Sequence, residues 1–153
     1  MDLHRDSTDL LTEFASSGVR YLVVGGWAVG VHAEPRYTKA LDLLIDGSSD
    51  NTERALQALE ACGAPAGLIE EVQTMTDDEL VFFGTPPARV DLLRQIPGVD
   101  FMEAWGHRKD VNWQGTTVHI IGIDALIASN LAAGRPKDLD DARSLEAVRR
   151  HRP

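Results

Sequence analysis

The apolar positions of this chain alternate between two periods. Leu10, Leu11 and Phe14 recur at helical spacing, so residues 6–17 read as a helix with Ser7 as its N-cap and Gly18 as its stop. Residues 21–24 are a continuous apolar run rich in β-branched and aromatic types, the mark of a buried strand. The run ends in Gly25-Gly26, and residues 27–32 read as a short helix that opens on those glycines and is broken by Pro35. Residues 41–45 form the second predicted strand. Ala55, Leu56 and Leu59 share one face of a helix over residues 51–61, with Gly63 just past its end. Residues 63–76 carry no clear period. Residues 80–83 and 89–93 read as strands separated by a turn at Gly84-Thr85-Pro86-Pro87, and Pro97-Gly98 marks another turn. A short helix is predicted over residues 101–105. Residues 108–113 and 116–121 flank Gln114-Gly115 as a hairpin. Asp124 can cap a helix that runs to Ala133 and stops at Gly134. The last helix is predicted over residues 138–150, with the basic final turn that the helix dipole favours. Helices and strands in this order predict an α+β domain, a mixed sheet with helices packed on it.

Length and composition narrow the picture. At 153 residues, with no long linker and no repeat, the chain is expected to form a single domain. A chain of that size buries roughly 70% of its unfolded surface and needs no covalent staples. The apolar fraction of 43% and charged fraction of 25% are those of an ordinary globular domain, which excludes disordered, collagen-like and disulfide-rich classes. There is no apolar run of about 18 residues, and the opening MDLHRDSTDL has neither the apolar stretch of a signal peptide nor the acid-poor character of a transit peptide. Cys62 is the single cysteine. It has no partner within the chain and no metal-ligand spacing, so a reducing, cytoplasmic setting without membrane attachment is expected.

The net charge of −9 argues against a broad nucleic-acid surface, which relies on clustered Lys and Arg. The charge is uneven, however. From Arg135 onward there are six basic and four acidic residues, so the first 134 residues carry −11. A local basic patch that meets a phosphate is compatible with this distribution.

Four places could carry chemistry. Gly25-Gly26 stands at a strand-to-helix junction, where backbone N–H groups can approach a phosphate or simply make a tight turn. The spacing fits neither G-x-G-x-x-G nor a G-K-[ST] loop. In an extended segment, positions 40 and 42 point to one face. Carboxylates at both would hold two cations about 3.5–4 Å apart, as in-line phosphoryl transfer uses; here position 42 is Asp and position 40 is Ala. Asp91 stands between apolar neighbours in Arg89-Val90-Asp91-Leu92-Leu93. Burying an acid there is costly unless it pairs, with Arg89 or Arg36, or binds a metal. Asp138 and Asp141 are three residues apart and share a helix face near its N-terminus, where the dipole favours acids. Arg135 can meet a phosphate or pair with these acids. His32, His107 and His119 are scattered over different elements and read as ordinary.

Together these segments resemble a known family. V-V-G-G-W-A-V-G-V-H-A-E-P-R-Y-T-K-A-L-D-L-L-I is similar to the first motif of small bacterial nucleotidyltransferases of the polymerase-β superfamily, in particular the AbiEii toxin-like group. Their pattern is G-G-x-A, then His, then R-x-T-x-D-x-D. P-P-A-R-V-D-L-L-R-Q-I-P-G-V-D-F resembles the strand that supplies their third acid, and L-I-A-S-N-L-A-A-G-R-P-K-D-L-D-D resembles their C-terminal motif. The likeness runs from about Tyr21 to Leu145. It implies a nucleotidyltransferase-like mixed sheet. It also implies that Gly25 and Gly26 cradle nucleotide phosphates, that Asp42 and Asp91 hold Mg²⁺ or Mn²⁺, and that Asp91 lies near the attacking hydroxyl. Arg36 and Thr38 would shape the loop before the acidic strand, and Arg135, Asp138 and Asp141 would order the C-terminal helices against the nucleotide.

The chain departs from that pattern twice. The first acid of the D-x-D pair is Ala40, and the Lys of the C-terminal motif, a triphosphate contact, is Asn130. The first change removes a metal ligand and the second a cation that would offset phosphate charge. Two separate departures fit a degenerate member better than one deliberate silencing substitution. The expected activity is metal-dependent transfer of a nucleotidyl group from a nucleoside triphosphate to RNA (a tRNA end), a protein hydroxyl or a small molecule, with weak metal binding in this chain. Aminoglycoside and lincosamide nucleotidyltransferases share the core, so small acceptors are open. The alternative expectation is a non-catalytic binding or regulatory module, such as a toxin–antitoxin component, with an antitoxin or a second copy as partner.

Overall fold

The computed structural model describes residues 5–35 and 37–151. Arg36, expected to shape the loop before the acidic strand, lies outside the described residues. The described residues form α1 (Arg5–Ser17), β1 (Tyr21–Val24), α2 (Gly25–His32), β2 (Ala40–Ile45), α3 (Ser49–Ala61), α4 (Ala66–Thr74), β3 (Leu80–Phe83), β4 (Arg89–Leu93), α5 (Phe101–Gly106), β5 (Lys109–Trp113), β6 (Thr116–Ile120), α6 (Ile123–Ala133) and α7 (Pro136–Arg150). The strands make one six-stranded sheet in the order β3-β4-β2-β1-β6-β5. It is mixed, as expected: β2 pairs with β4 and β1 with β6 in parallel, and the other pairs are antiparallel.

Burial follows position in the sheet. All four residues of β1 are buried, which explains their unbroken apolar run at the centre. Edge strand β3 instead alternates, with Leu80 and Phe82 exposed and Val81 buried. Helix α3 packs on both α1 and α4, while α2, α6 and α7 form a second group that α2 joins to β1 and β2. No described helix is long and apolar enough to cross a membrane.

Several local expectations need correction. Among the described residues helix α1 already runs from Arg5, so Ser7 is a buried residue inside the helix and not its cap. Gly122 caps α6, and Asp124 stands in the first turn, where it pairs with Arg149 at 2.8 Å. Helix α7 begins at Pro136 rather than Asp138. The proline's fixed φ is suited to the first helical position, and its absent N–H costs nothing there. The unreadable stretch contains α4, which buries only Leu68 and Val72. Its first turn carries Gly67 and its cap is Pro65, which has no side-chain donor or acceptor, so none of the usual start signals is present.

Candidate functional site

Strand β1 and helix α2 are continuous, with Gly25 at the junction. Gly25 has φ +66, a left-handed conformation that costs an L-residue roughly 1–2 kcal/mol. There is also no room for a side chain, because an added Cβ would collide with the Asp42 carboxylate. No side chain caps α2, so its first-turn N–H groups have no side-chain acceptor from the cap. Gly25→Ala is expected to cost about 1–2 kcal/mol from the φ alone and to push the Asp42 carboxylate out of place. Chemical denaturation checks this; a variant as stable as the parent would mean that the junction relaxes freely.

The register places the two acids side by side. Val24 stands opposite Asp42 on β1–β2, and Asp42 stands opposite Asp91 on the parallel β2–β4 pair. Their carboxyl groups are hydrogen-bonded to each other. Burial, then the charge of Asp91 and the shared hydrogen bond, push the Asp42 carboxyl up to about 7, while Lys137 and Arg89 pull the other way. Asp91 is buried and its Oδ1 accepts from Arg89 Nε at 2.7 Å. Arg89 is one of the two expected partners for this acid; the other, Arg36, lies outside the described residues.

A cleft of about 270 Å³ lies between this strand-to-helix junction and helices α6 and α7. It is lined by Gly25, Gly26, Asp42, Asn130, Arg135, Asp138 and Asp141, so seven of the expected site residues meet in one place. Asp91, paired with Asp42 across β2–β4, does not line it; Thr38 and Ala40 do not line it either. Arg135 is not a free cation. Its Nε and Nη2 donate to the Asp138 carboxylate at 2.6 and 3.1 Å, and its backbone N–H donates to Oδ2 at 3.2 Å. That pairing holds the Asp138 carboxyl below the ordinary range. The arrangement orders the first turn of α7, which buries Asp138 and Asp141.

Among the cleft residues missed from the sequence, three carry polar side chains, Gln95, Ser129 and Lys137. Lys137 matters because its charge reaches Asp42. The signal was present, since Lys137 stands beside Asp138 within the quoted C-terminal motif. It thus brings a cation to the cleft where Asn130 cannot. Asn130 contributes differently. Its Nδ2 is buried without a hydrogen-bond partner among the described residues, and such a donor is costly unless something accepts from it.

The residues do not fit a centre of paired divalent cations. Ala40 offers no donor, Asp91 is engaged by Arg89, and Asp42 is tied to Asp91. Among the described residues no group of three or more His, Cys, Asp or Glu could hold a metal ion. A larger cavity of about 700 Å³ shares α6 as a wall, but it contains none of the expected site residues. His32 lines that cavity and bonds through Nε2 to the Ile121 carbonyl at 2.7 Å, while His119 bonds Asp110 at 2.6 Å.

No protein-family profile and no curated protein sequence matches the chain. Solved structures do. The lincosamide antibiotic adenylyltransferase LnuA, solved with lincomycin bound, superposes with a TM-score of 0.61 at 16% identity, over 97% of this chain and 99% of that one. ANT(2")-Ia in complex with adenylyl-2"-tobramycin gives 0.58 at 15% identity, over 94% and 90%. An antigenic nucleotidyltransferase-like protein from Paracoccidioides brasiliensis gives 0.53 at 14% identity, over 97% and 78%. The α+β chain described above has the fold of these nucleotidyltransferases.

Proposed function

We propose that this chain is a single nucleotidyltransferase-like domain that binds a nucleoside triphosphate in the cleft between Gly25-Gly26 and the α6–α7 corner. From there it passes the nucleotidyl group to a hydroxyl of a small molecule. The observation that carries this reading is the junction itself. A side-chain-free Gly25 lies against the Asp42 carboxylate at the uncapped start of α2, with Lys137 and the unpartnered Asn130 amide on the facing wall. Backbone N–H groups, one ammonium and one amide donor are the groups that recognise phosphate oxygens.

In this reading the acceptor oxygen bonds to the α-phosphorus, and the bond to the departing pyrophosphate breaks with its electron pair leaving on oxygen. The acceptor proton goes to the Asp42–Asp91 pair, whose raised Asp42 carboxyl suits a base working near neutrality. Gly26, Arg135, Asp138 and Asp141 shape the phosphate end, while Thr38 belongs to the approach to β2. A small acceptor is supported by the lincomycin and adenylyl-tobramycin found with the similar structures and by the acidic balance of the chain, which disfavours RNA. A single Mg²⁺ or Mn²⁺ on two carboxylates would bind weakly, because Mg²⁺ demands near-ideal oxygen geometry and dehydrates reluctantly.

A second reading, a non-catalytic nucleotide-binding module, has one observation in its favour: Ala40 beside an Asp91 already engaged by Arg89. One experiment separates the two. Titration with ATP should show binding that weakens by roughly tenfold or more in Lys137→Ala, the cost of losing a charged hydrogen bond. Incubation with α-labelled ATP and a panel of aminoglycosides and lincosamides should move label to the acceptor. Binding without transfer favours the module, and no binding overturns the cleft as a nucleotide site.

A further inference from the structure

Residues 40 and 89 face each other across the parallel β2–β4 pair, one alternation away from Asp42 and Asp91. Because alternate residues point to one face, Ala40, Asp42, Arg89 and Asp91 form a two-by-two block on one side of the sheet. Phe82 stands opposite Asp91 on β3 and extends the block toward the sheet edge. Three corners of the block carry functional groups, and the fourth carries only the methyl of Ala40.

The guanidinium of Arg89 is fixed from two directions. Nε donates to Asp91 at 2.7 Å, and the planar group lies over the Phe82 ring with its central carbon 4.0 Å from the ring centroid. A single bond from Nε leaves the rest of a long side chain free to turn, even though the pair is part-buried. Stacking on an aromatic face adds a second restraint and suits Arg better than Lys. The two terminal nitrogens have no hydrogen-bond partner among the described residues. The side chain keeps 31% of its surface exposed. Arg89 does not line the cleft itself, but it stands on the same face of the sheet as Asp42, which does, and near enough for its charge to act on that carboxyl.

We propose that Arg89 is a built-in cation of the nucleotide site, donating to a phosphate oxygen of the bound triphosphate in the role that a second divalent ion bridging acid and phosphate would otherwise fill. This rests on the reading of the cleft as a nucleotide site. Guanidinium suits the task, since its fork matches phosphate geometry and its charge is not lost to pH or to a chelator. Ala40 then has a physical reason. A carboxylate at 40 would stand in register with Arg89 and draw the guanidinium into an ion pair, removing its free donors from phosphate. Ala40 and Arg89 are one coupled exchange rather than a missing ligand beside an unrelated cation.

The test is ATP affinity by calorimetry on the full chain, in excess EDTA and in excess Mg²⁺. The expected result is less than about threefold difference between the two buffers. Arg89→Gln is expected to weaken binding in EDTA on the order of tenfold or more, with partial retention in Arg89→Lys, which keeps charge but not the fork. A second arm reads melting temperature and needs no nucleotide. Ala40→Asp alone should gain no stabilisation from Mg²⁺, because Arg89 neutralises the new acid, whereas Ala40→Asp with Arg89→Gln should gain it. If Arg89→Gln does not fold, the lysine variant and the second arm decide. ATP binding that falls tenfold in EDTA, an affinity unchanged by Arg89→Gln, or Mg²⁺ stabilisation of Ala40→Asp with Arg89 intact each overturns the assignment while leaving the nucleotide site standing. An absence of ATP binding in every buffer and variant overturns the nucleotide site itself, and this assignment with it.

Discussion

Asp42→Asn is expected to stabilise the protein at pH 8 and to leave its stability unchanged at pH 4. The sign follows from proton counting. In the folded chain the Asp42 carboxyl holds its proton up to about 7, whereas in the unfolded chain it releases it near the ordinary value of about 4. Between those limits the folded state binds more protons, so wild-type stability falls as pH rises through the window and levels off above it. Each pKa unit corresponds to about 1.36 kcal/mol, so the loss across the window is on the order of 2–4 kcal/mol. Asparagine removes the ionisation and keeps an N–H donor for Asp91 at every pH. Urea denaturation of both proteins from pH 4 to 8 checks this. A gap of constant size at all pH values would mean that Asp42 is not the group responsible. The same substitution should abolish label transfer if the carboxylate pair takes the acceptor proton. The site would then carry a cost in stability for its chemistry, as strained and destabilised active sites commonly do.

Asn51→Ala should be the most damaging change outside the cleft. The Asn51 side chain is fully buried. Its Oδ1 accepts from the Arg20 backbone N–H at 2.7 Å, and its Nδ2 donates to the carbonyls of Arg20 at 3.0 Å and Asp46 at 2.8 Å. These groups flank the Tyr21–Ile45 end of the β1–β2 ladder, so one amide on α3 closes the pair. Truncation strands the Arg20 N–H and the Asp46 carbonyl, while the Arg20 carbonyl keeps the Asp46 N–H at 3.2 Å, at a cost of about 2–3 kcal/mol when each unsatisfied group costs at least about 1. At about 2–4 °C per kcal/mol for this chain length, the melting temperature should fall by roughly 5–10 °C. The opposite end of the same ladder pairs Val24 with Asp42 beside the cleft. ATP affinity of the folded fraction should therefore stay unchanged, which separates a fold residue from a site residue. A loss below about 1 kcal/mol would indicate that water replaces the amide.

Local chemistry made most elements legible. Gly18, Gly63 and Gly134 marked helix ends, and each has positive φ in the structure. The apolar run of β1, the strand-like residues 80–83 and the Gln114-Gly115 hairpin needed only their own neighbours to be read. Helix α4 escaped because its burial rests on two side chains and its start lacks a capping side chain. The glycine junction and the acids at 42, 91, 138 and 141 were visible as candidates, since each residue type is unusual in its local setting.

Their relations were not visible. That β2 lies between β1 and β4, and that Asp42 meets Asp91 in register, depends on pairing between segments about fifty residues apart. A slip of one residue would have sent either carboxylate to the opposite face. Lys137 became a cleft residue only when α7 folded against α6 and set its first turn beside Asp42. Arg135, legible as a phosphate ligand or an ion-pair partner, was decided by the carboxylate its own helix turn brought within 2.6 Å. Arg89 drew meaning from three strands at once: Asp91 on its own, Ala40 across one ladder and Phe82 across the other. Propensity, capping and turn chemistry act over a few residues and are written in the sequence. Register, burial and the field at Asp42 are sums over distant segments, and they exist only once the sheet has closed.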